Sequence, residues 1–280
     1  MYFMDIINAL KIACSEISNL IRITEPHHLS NELEQTNESA ELVKELDLKS
    51  NEIIKNALLT VESVNQISSE EEANYVSANP NGKYMVAYDP LDGSSNIDCN
   101  ATIGTIFGIY EDLKIIGAGY CLYGGSTQLV FSLDNQEGLI QEQLVNEKWD
   151  MIRENFMMPK KGKFFSANMS NYFGWPIYIR EHIDKLMDNR YGLRYIGSLV
   201  GDAHRTLIKG GYFTYPSDKS NKNGKLRQYY EVVPFAYLFK KAGGYALNDE
   251  GEDILGEEMN SDLHFRRPLV LMSEGEKLLL

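Results

Sequence analysis

The sequence predicts a mixed α/β or α+β protein built as a layered sandwich. β-Branched and aromatic runs separated by turn residues fill residues 61–133, the pattern of a largely antiparallel meander. After about residue 160, short apolar runs alternate with amphipathic stretches, so helices and strands interleave. The chain has 280 residues and is 43% hydrophobic. That is enough for one large domain or two domains sharing a core.

The elements follow in chain order. Phe3, Ile6, Ile7, Leu10, Cys14, Ile17, Leu20 and Ile21 recur at helical spacing, giving a first helix with one apolar face. Residues 25–40 are polar and read as a loop. A second helix is expected from about Ala40 to Leu59, with Leu42, Leu46, Ile53, Ile54 and Leu58 inward. VNQI closes a β-type run (61–67) that ends in Ser68-Ser69-Glu70-Glu71-Glu72. KYMVAY (83–88) is a strand ending at Asp89-Pro90. ATIGTIFGIY (101–110), KIIGAGYCLY (114–123) and TQLVFSL (127–133) continue the meander. NFMMPKKGK (155–163) marks a soft boundary, giving halves 1–160 and 161–280. In the second half FFSAN (164–168), GLRYIG (192–197), YFTYP (212–216) and PLVLMS (268–273) read as strands. Residues 181–189, 199–209 and 229–242 read as helices, the last stopped by Gly243-Gly244, and a short helix closes the chain.

Charge and cysteine content exclude several functions. The net charge of −13 argues against a nucleic-acid partner. No apolar run approaches membrane-spanning length, and Asp5, Lys11 and Glu16 interrupt the N-terminal apolar pattern, which is not that of a signal peptide. Cys14, Cys99 and Cys121 are isolated, as expected of free thiols in a reducing cytoplasm. The charge is unevenly spread. Residues 1–100 hold 6 Lys and Arg against 17 Asp and Glu, whereas residues 190–241 hold 10 basic and 3 acidic residues. Such asymmetry suits a site that takes both a cation and an anion, although two ordinary solvated faces would read the same way.

The chemistry concentrates in Asp89-Pro90-Leu91-Asp92-Gly93-Ser94-Ser95-Asn96. Two aspartates flank a proline-stiffened turn directly after a strand, so their carboxylates can converge on one point. Gly93-Ser94-Ser95 then offers successive backbone N–H groups and two hydroxyls, as a phosphate cradle does. Carboxylates beside a phosphate require a divalent cation, and Mg²⁺ is the hard, oxygen-seeking choice. If the strand before it is a neighbour, Glu70 or Glu71 joins Asp89 and Asp92, giving oxygens for two or more Mg²⁺ ions. Other constellations fail. Asp89-x-x-Asp92-Gly93 lacks the acid spacing of an EF-hand. There is no GK[ST] loop, no G-x-S-x-G elbow, and Gly117-Ala118-Gly119 lacks the third glycine of a dinucleotide fingerprint. His27, His28, His182, His204 and His264 show no zinc spacing, and His204 reads as structural.

DPLDGSS resembles the signature of the lithium-sensitive, Mg²⁺-dependent sugar and inositol phosphatases. The longer DPLDGSSNID (89–98) resembles one branch, class 1 fructose-1,6-bisphosphatase. ELDLKSN (45–51), SEEE (69–72), LRYIGSLVGDAHRTL (193–207), GGYFTYP (210–216), GKLRQYYEVVP (224–234) and KKAGG (240–244) extend the resemblance over roughly residues 40–280. It implies an α+β fold, the layered αβαβα sandwich of the sugar phosphatases. It also implies Mg²⁺-dependent hydrolysis of the 1-phosphate of fructose 1,6-bisphosphate, with Mn²⁺ an alternative metal and sedoheptulose 1,7-bisphosphate an alternative substrate. A silent sugar-phosphate-binding regulator is the reading from another class, and the intact carboxylates argue against it. Carried onto this chain, Glu70, Glu71, Asp89, Asp92, Glu231 and the Leu91 carbonyl become the metal ligands, with Glu72 a rival to its neighbours. Asp47, with Glu70 or Glu71, becomes the base for the attacking water. Asp92 also positions the phosphate. Gly93, Ser94, Ser95 and Arg227 become the 1-phosphate site, and Lys225 a contact to the sugar. Asn168, Tyr195 and Tyr215 become the 6-phosphate site, completed by Arg194 of a neighbouring subunit in a homotetramer. The resemblance implies a cytoplasmic protein without membrane or nucleic-acid partners.

Overall fold

The computed structural model describes residues 2–23, 32–36, 42–97 and 99–279. Five layers stack in the order helix, sheet, helix, sheet, helix, so the expected αβαβα sandwich is the fold. The outer helical layer is α1 (Tyr2–Ile23) with α2 (Glu45–Leu59), preceded by a two-stranded ribbon of β1 (Glu32–Thr36) and β2 (Leu42–Lys44). The large sheet follows: β3 (Val64–Ser69), β4 (Val76–Ser77), β5 (Tyr84–Asp92), β6 (Ile103–Glu111), β7 (Lys114–Tyr123), β8 (Thr127–Leu133), β9 (Leu139–Val145) and β10 (Lys148–Phe156). Their spatial order is β10-β9-β8-β7-β6-β5-β3-β4. After β11 (Phe164–Ser166) come the outer helix α3 (Ile177–Asp188), β12 (Gly192–Leu193), the inner helix α4 (Leu199–Lys209) and β13 (Tyr212–Tyr215). The chain then runs through β14 (Leu226–Arg227), a π-turn at Gln228–Val232, the inner helix α5 (Val233–Lys241), β15 (Tyr245–Leu247), β16 (Arg266–Arg267), β17 (Leu269–Met272) and α6 (Glu274–Lys277). The second sheet has the order β12-β11-β13-β17-β15.

Period-two burial explains why the strands are apolar on both faces. In β5, Val86 and Tyr88 face α1 and α2, while Met85 and Ala87 face the inner helices. In β17, Leu269 and Leu271 pack on the inner layer, and Val270 and Met272 pack beneath α3 with Ile179, Ile183 and Leu186. Phe235, Ala236 and Phe239 of α5 lie in the inner layer between the sheets.

Several sequence expectations need correction. The loop expected over 25–40 contains β1 at 32–36, and the rest of that span lies outside the described residues. The second helix begins at Glu45, because Leu42–Lys44 pairs with β1. β5 does not stop at Asp89: it continues to Asp92 across a register irregularity, where the Thr105 hydroxyl donates to the Pro90 carbonyl at 2.8 Å. Proline removes one ladder donor but leaves the strand extended. The strand expected at 192–197 is only Gly192–Leu193, since the backbone of Ile196 and Gly197 bonds to Asp202 instead. The helix expected from Tyr229 opens as a π-turn, and α5 starts only at Val233, with Pro234 in its first turn. β4, β9 and β10 are additional to the strands expected from the sequence: β4 is only two residues long, and β10 is an exposed edge strand whose apolar residues form no continuous run.

Close approach of strands dictates Gly119, where a Cβ would lie 2.3 Å from the Phe107 ring and 2.8 Å from the Val130 carbonyl. Gly119→Ala should destabilise the fold by about 1–3 kcal/mol through overpacking. Chemical denaturation measures this, and an unchanged midpoint would show that the sheet relaxes freely there.

Candidate active site

One topological fact assembles the site. β3 runs parallel to β5, pairing Ile67 with Val86 and Ser69 with Tyr88, while the other neighbours in this sheet pair antiparallel. Both strands therefore end at the same edge. The Glu70 N–H donates to the Tyr88 carbonyl at 3.2 Å, which sets Glu70 and Glu71 beside Asp89. Carboxylate oxygens of Asp89, Asp92 and Glu231 lie within 4.8 Å of one another. Glu231 arrives from the π-turn on the far side of the large sheet, and its carboxylate accepts from the Arg227 N–H.

Each carboxylate is held by its own neighbours. Asp89 accepts from the Leu91 N–H at 2.9 Å, closing a tight turn around Pro90. Asp92 accepts from the Ser198 hydroxyl and from the Val200 N–H, both at 2.8 Å, at the N-terminus of α4. Ser198 also caps that helix, accepting from the Gly201 N–H at 3.2 Å. The Asp202 carboxylate in turn accepts from the Ile196 and Gly197 N–H groups at 3.0 Å and from Arg205 at 3.0 Å. Gly93 has a φ of +83°, and a Cβ there would sit 2.8 Å from that of Ser198. Only glycine permits both the left-handed turn and this contact. Ser94–Asn96 then form a short 3₁₀ turn.

Burial sets the electrostatics. Asp89 is 4% exposed, and burial first, then Glu70, Asp92, Glu231 and Asp47, push its carboxyl well above the usual range. Burial also raises Asp92 to about 6, against the hydrogen bonds from Val200 and Ser198. Glu231 is raised by burial and by the charges of Glu70 and Asp92. Like charges crowded in a dry site cannot all ionise unless a cation joins them. The hard oxygen donors present fit a divalent cation of the Mg²⁺ or Ca²⁺ kind.

A cleft of about 290 Å³ opens over this cluster, near the small end of small-molecule sites. Its walls include Asp47, Glu70, Glu71, Asp89, Leu91, Asp92, Gly93, Ser94, Ser95, Tyr195, Tyr215, Lys225 and Glu231 from the sequence-based set. Three residues lie off the walls. Arg227 is 2% exposed, with Nε 3.8 Å from Glu70. Asn168 caps the turn Met169–Gly174, accepting from the Ser170 N–H at 3.3 Å. Arg194 lies over the Phe164 ring and donates to the Leu193 carbonyl. Glu72 turns to α2, accepting from Asn51 at 3.0 Å and Lys55 at 2.8 Å. Partial burial acts to raise its carboxyl, but those bonds hold it below the ordinary value. Ser198 and Asp202 line the cleft and were not singled out. Their signal was the Ser-x-x-x-Asp spacing at a helix start, which reads as an ordinary cap.

Fold and cleft define a class, the phosphoric monoester hydrolases of layered α+β architecture. Residues 2–147 match the fructose-1,6-bisphosphatase N-terminal domain and residues 158–277 the C-terminal domain. The chain belongs to the fructose-1,6-bisphosphatase family. It is 35% identical to fructose-1,6-bisphosphatase 1 of Bos taurus, over 96% of this chain and 86% of that protein. It is 39% identical to the class 1 enzyme of Sulfurihydrogenibium sp. (strain YO3AOP1), over 96% and 87%. The Leishmania major fructose-1,6-bisphosphatase structure in holo form superposes with a TM-score of 0.92 at 34% identity, covering 99% of this chain and 92% of that one. Its T-state structure gives 0.85 at 33% identity, covering 99% and 91%. No helix among the described residues is long and apolar enough to cross a membrane.

The raised Asp92 has a pH consequence. Between its ordinary value of 3.8 and about 6, the folded metal-free protein holds a proton that the unfolded chain has released. Its stabilising contribution is complete below that window and is lost as pH rises through about 6. A divalent cation must displace this proton, so it binds better at higher pH. Any rise in Tm caused by a divalent cation, tested with Mg²⁺, should therefore grow between about pH 5 and 7.5, as scanning calorimetry reads it. A pH-independent rise would contradict this account.

Proposed function

We propose that this protein hydrolyses the 1-phosphate of D-fructose 1,6-bisphosphate, releasing D-fructose 6-phosphate and phosphate, as a cytoplasmic enzyme of gluconeogenesis. The observation that carries the reading is that the acidic cluster and the Gly93-Ser94-Ser95 turn share one cleft. Family membership supports the substrate. In this reading the halves 1–160 and 161–280 divide the work, the first holding metal and 1-phosphate, the second holding sugar and 6-phosphate.

Glu70, Glu71, Asp89, Asp92, Glu231 and the Leu91 carbonyl would hold two or more Mg²⁺ ions, or Mn²⁺ in their place. When bound, these ions neutralise the phosphoryl oxygens and acidify the attacking water. Asp47, buried in the first turn of α2 on the cleft wall, orients that water and takes its proton together with Glu70 or Glu71. Asp92 and the N–H groups and hydroxyls of Gly93, Ser94 and Ser95 position the 1-phosphate. Arg227, buried with its Nε 3.8 Å from Glu70, adds positive charge to the 1-phosphate site. Lys225 reaches the sugar hydroxyls. Tyr195 and Tyr215 hold the 6-phosphate. Asn168 joins them through its amide nitrogen, since its oxygen serves the cap. Arg194 is not among the walls of its own cleft and lies over the Phe164 ring, which supports its service to a neighbouring subunit in a homotetramer.

Phosphate release from each sugar bisphosphate, with Mg²⁺ and with chelator, tests the activity. Fructose 1,6-bisphosphate should be hydrolysed only with the metal. Release only from sedoheptulose 1,7-bisphosphate, or no release from either, would overturn the proposal. Asp92→Asn should lower kcat by at least about 10²-fold, because a ligand and a phosphate positioner are lost together. Near-normal turnover would remove Asp92 from the site.

Arg194→Ala should raise KM for fructose 1,6-bisphosphate with a smaller loss in kcat, as expected for a group that binds the non-reacting phosphate. Steady-state kinetics reads the split. An unchanged KM with a collapsed kcat would show that Arg194 is not a 6-phosphate clamp.

A further inference from the structure

His264 lies 192 residues from the acidic turn in sequence and touches it in space. Its Nε2 is 3.2 Å from the Glu72 carbonyl oxygen, and its Nδ1 is 2.8 Å from the Tyr230 hydroxyl. A carbonyl only accepts, so Nε2 carries the proton and donates. In the neutral ring Nδ1 is then the acceptor, and Tyr230 donates to it. The imidazole thus bridges two segments. One carries Glu70 and Glu71, immediately before Glu72. The other carries Glu231, immediately after Tyr230.

The mounting of this bridge is firm on both sides. The Gln228 N–H donates to the Phe265 carbonyl at 2.8 Å, and the Tyr229 hydroxyl to the Asn260 carbonyl at 2.6 Å, so the segment bearing His264 is fixed to the π-turn. Asp262 accepts from the His264 N–H at 2.9 Å. Glu72 is meanwhile fixed to α2 through Asn51 and Lys55. The carboxylates of Glu70 and Glu231 repel one another in a buried site. With no hydrogen bond to its carbonyl, the turn at 70–72 can move away from Glu231 and relieve that repulsion.

We propose that His264 is a positioning residue for the metal centre: it braces the Glu70–Glu72 turn against the segment of Glu231, so that carboxylates from both converge on one cation. This rests on the reading of that cluster as a divalent-cation site. Loss of a hydrogen bond that orients ligands typically weakens metal binding about 10-fold or more.

The test is Mn²⁺ binding to the chelator-treated full chain, followed by electron paramagnetic resonance, with His264→Ala, His264→Asn and His264→Gln. The glutamine amide nitrogen reaches the place of Nε2 and can donate to the Glu72 carbonyl. Asparagine reaches only the place of Nδ1. The alanine and asparagine variants should bind Mn²⁺ about 10-fold more weakly, and glutamine should restore most of the affinity. If alanine does not fold, as thermal melts of the metal-free proteins would reveal, the asparagine–glutamine difference decides alone. Equal affinity of asparagine and glutamine variants overturns the brace, as does wild-type affinity in alanine. A wild-type chain that binds no Mn²⁺ overturns the metal-centre reading itself, and the brace with it.

Discussion

The structure depends on one constraint: several buried carboxylates must be held close together against their mutual repulsion. Asp89, Asp92 and Glu231 come within 4.8 Å at the end of the large sheet. Burial and like charge together raise all three. A site of this kind is unfavourable in the apo protein and favourable once a cation enters. The surrounding architecture resists its relaxation. The parallel pairing of β3 with β5 fixes one edge, α4 fixes Asp92 through Ser198 and the Val200 N–H, and the π-turn fixes Glu231 through the Arg227 N–H.

The five layers make this convergence rigid. Asp92 belongs to the first sheet, yet its partners begin a helix of the inner layer. That helix packs on β6 and β13, strands of different sheets. The Tyr120 hydroxyl on β7 also meets His204 Nδ1 of the same helix at 2.8 Å. Movement between the sheets would therefore separate Asp92 from the groups that hold it. In this arrangement the carboxylate cluster and the packing of the inner layer are mechanically one unit, and backbone shifts of an ångström there are felt at the carboxylates.

Much of this was legible in the sequence. Continuous β-branched and aromatic runs marked β6, β7, β8 and β17 as strands, because both faces of these strands are largely buried. The stretch 199–209, read as a helix from its sequence, is α4 with those bounds, and the structure shows Ser198 capping it and Gly210 ending it. The Asp-Pro-Leu-Asp-Gly-Ser-Ser run marked its own chemistry, since proline and a glycine of positive φ dictate local geometry. The edge strand β10 was not legible, because an exposed strand need not alternate. The resemblance singled out Glu70 and Glu71, but Glu72 stayed a rival, because three adjacent glutamates have the same local surroundings.

The sequence by itself determined which residues could carry charge, where the chain must turn, and which runs would be buried. Those properties depend on a residue and its near neighbours. Only the tertiary structure decided which glutamate faces the cleft. Lys55 and Asn51 draw Glu72 to α2, while Glu70 and Glu71 turn inward. It alone also placed Glu231, Ser198 and His264 beside a turn that lies more than a hundred residues away in sequence. Such contacts arise from how layers stack, and hydrogen bonds across layers leave no periodic trace along the chain that forms them.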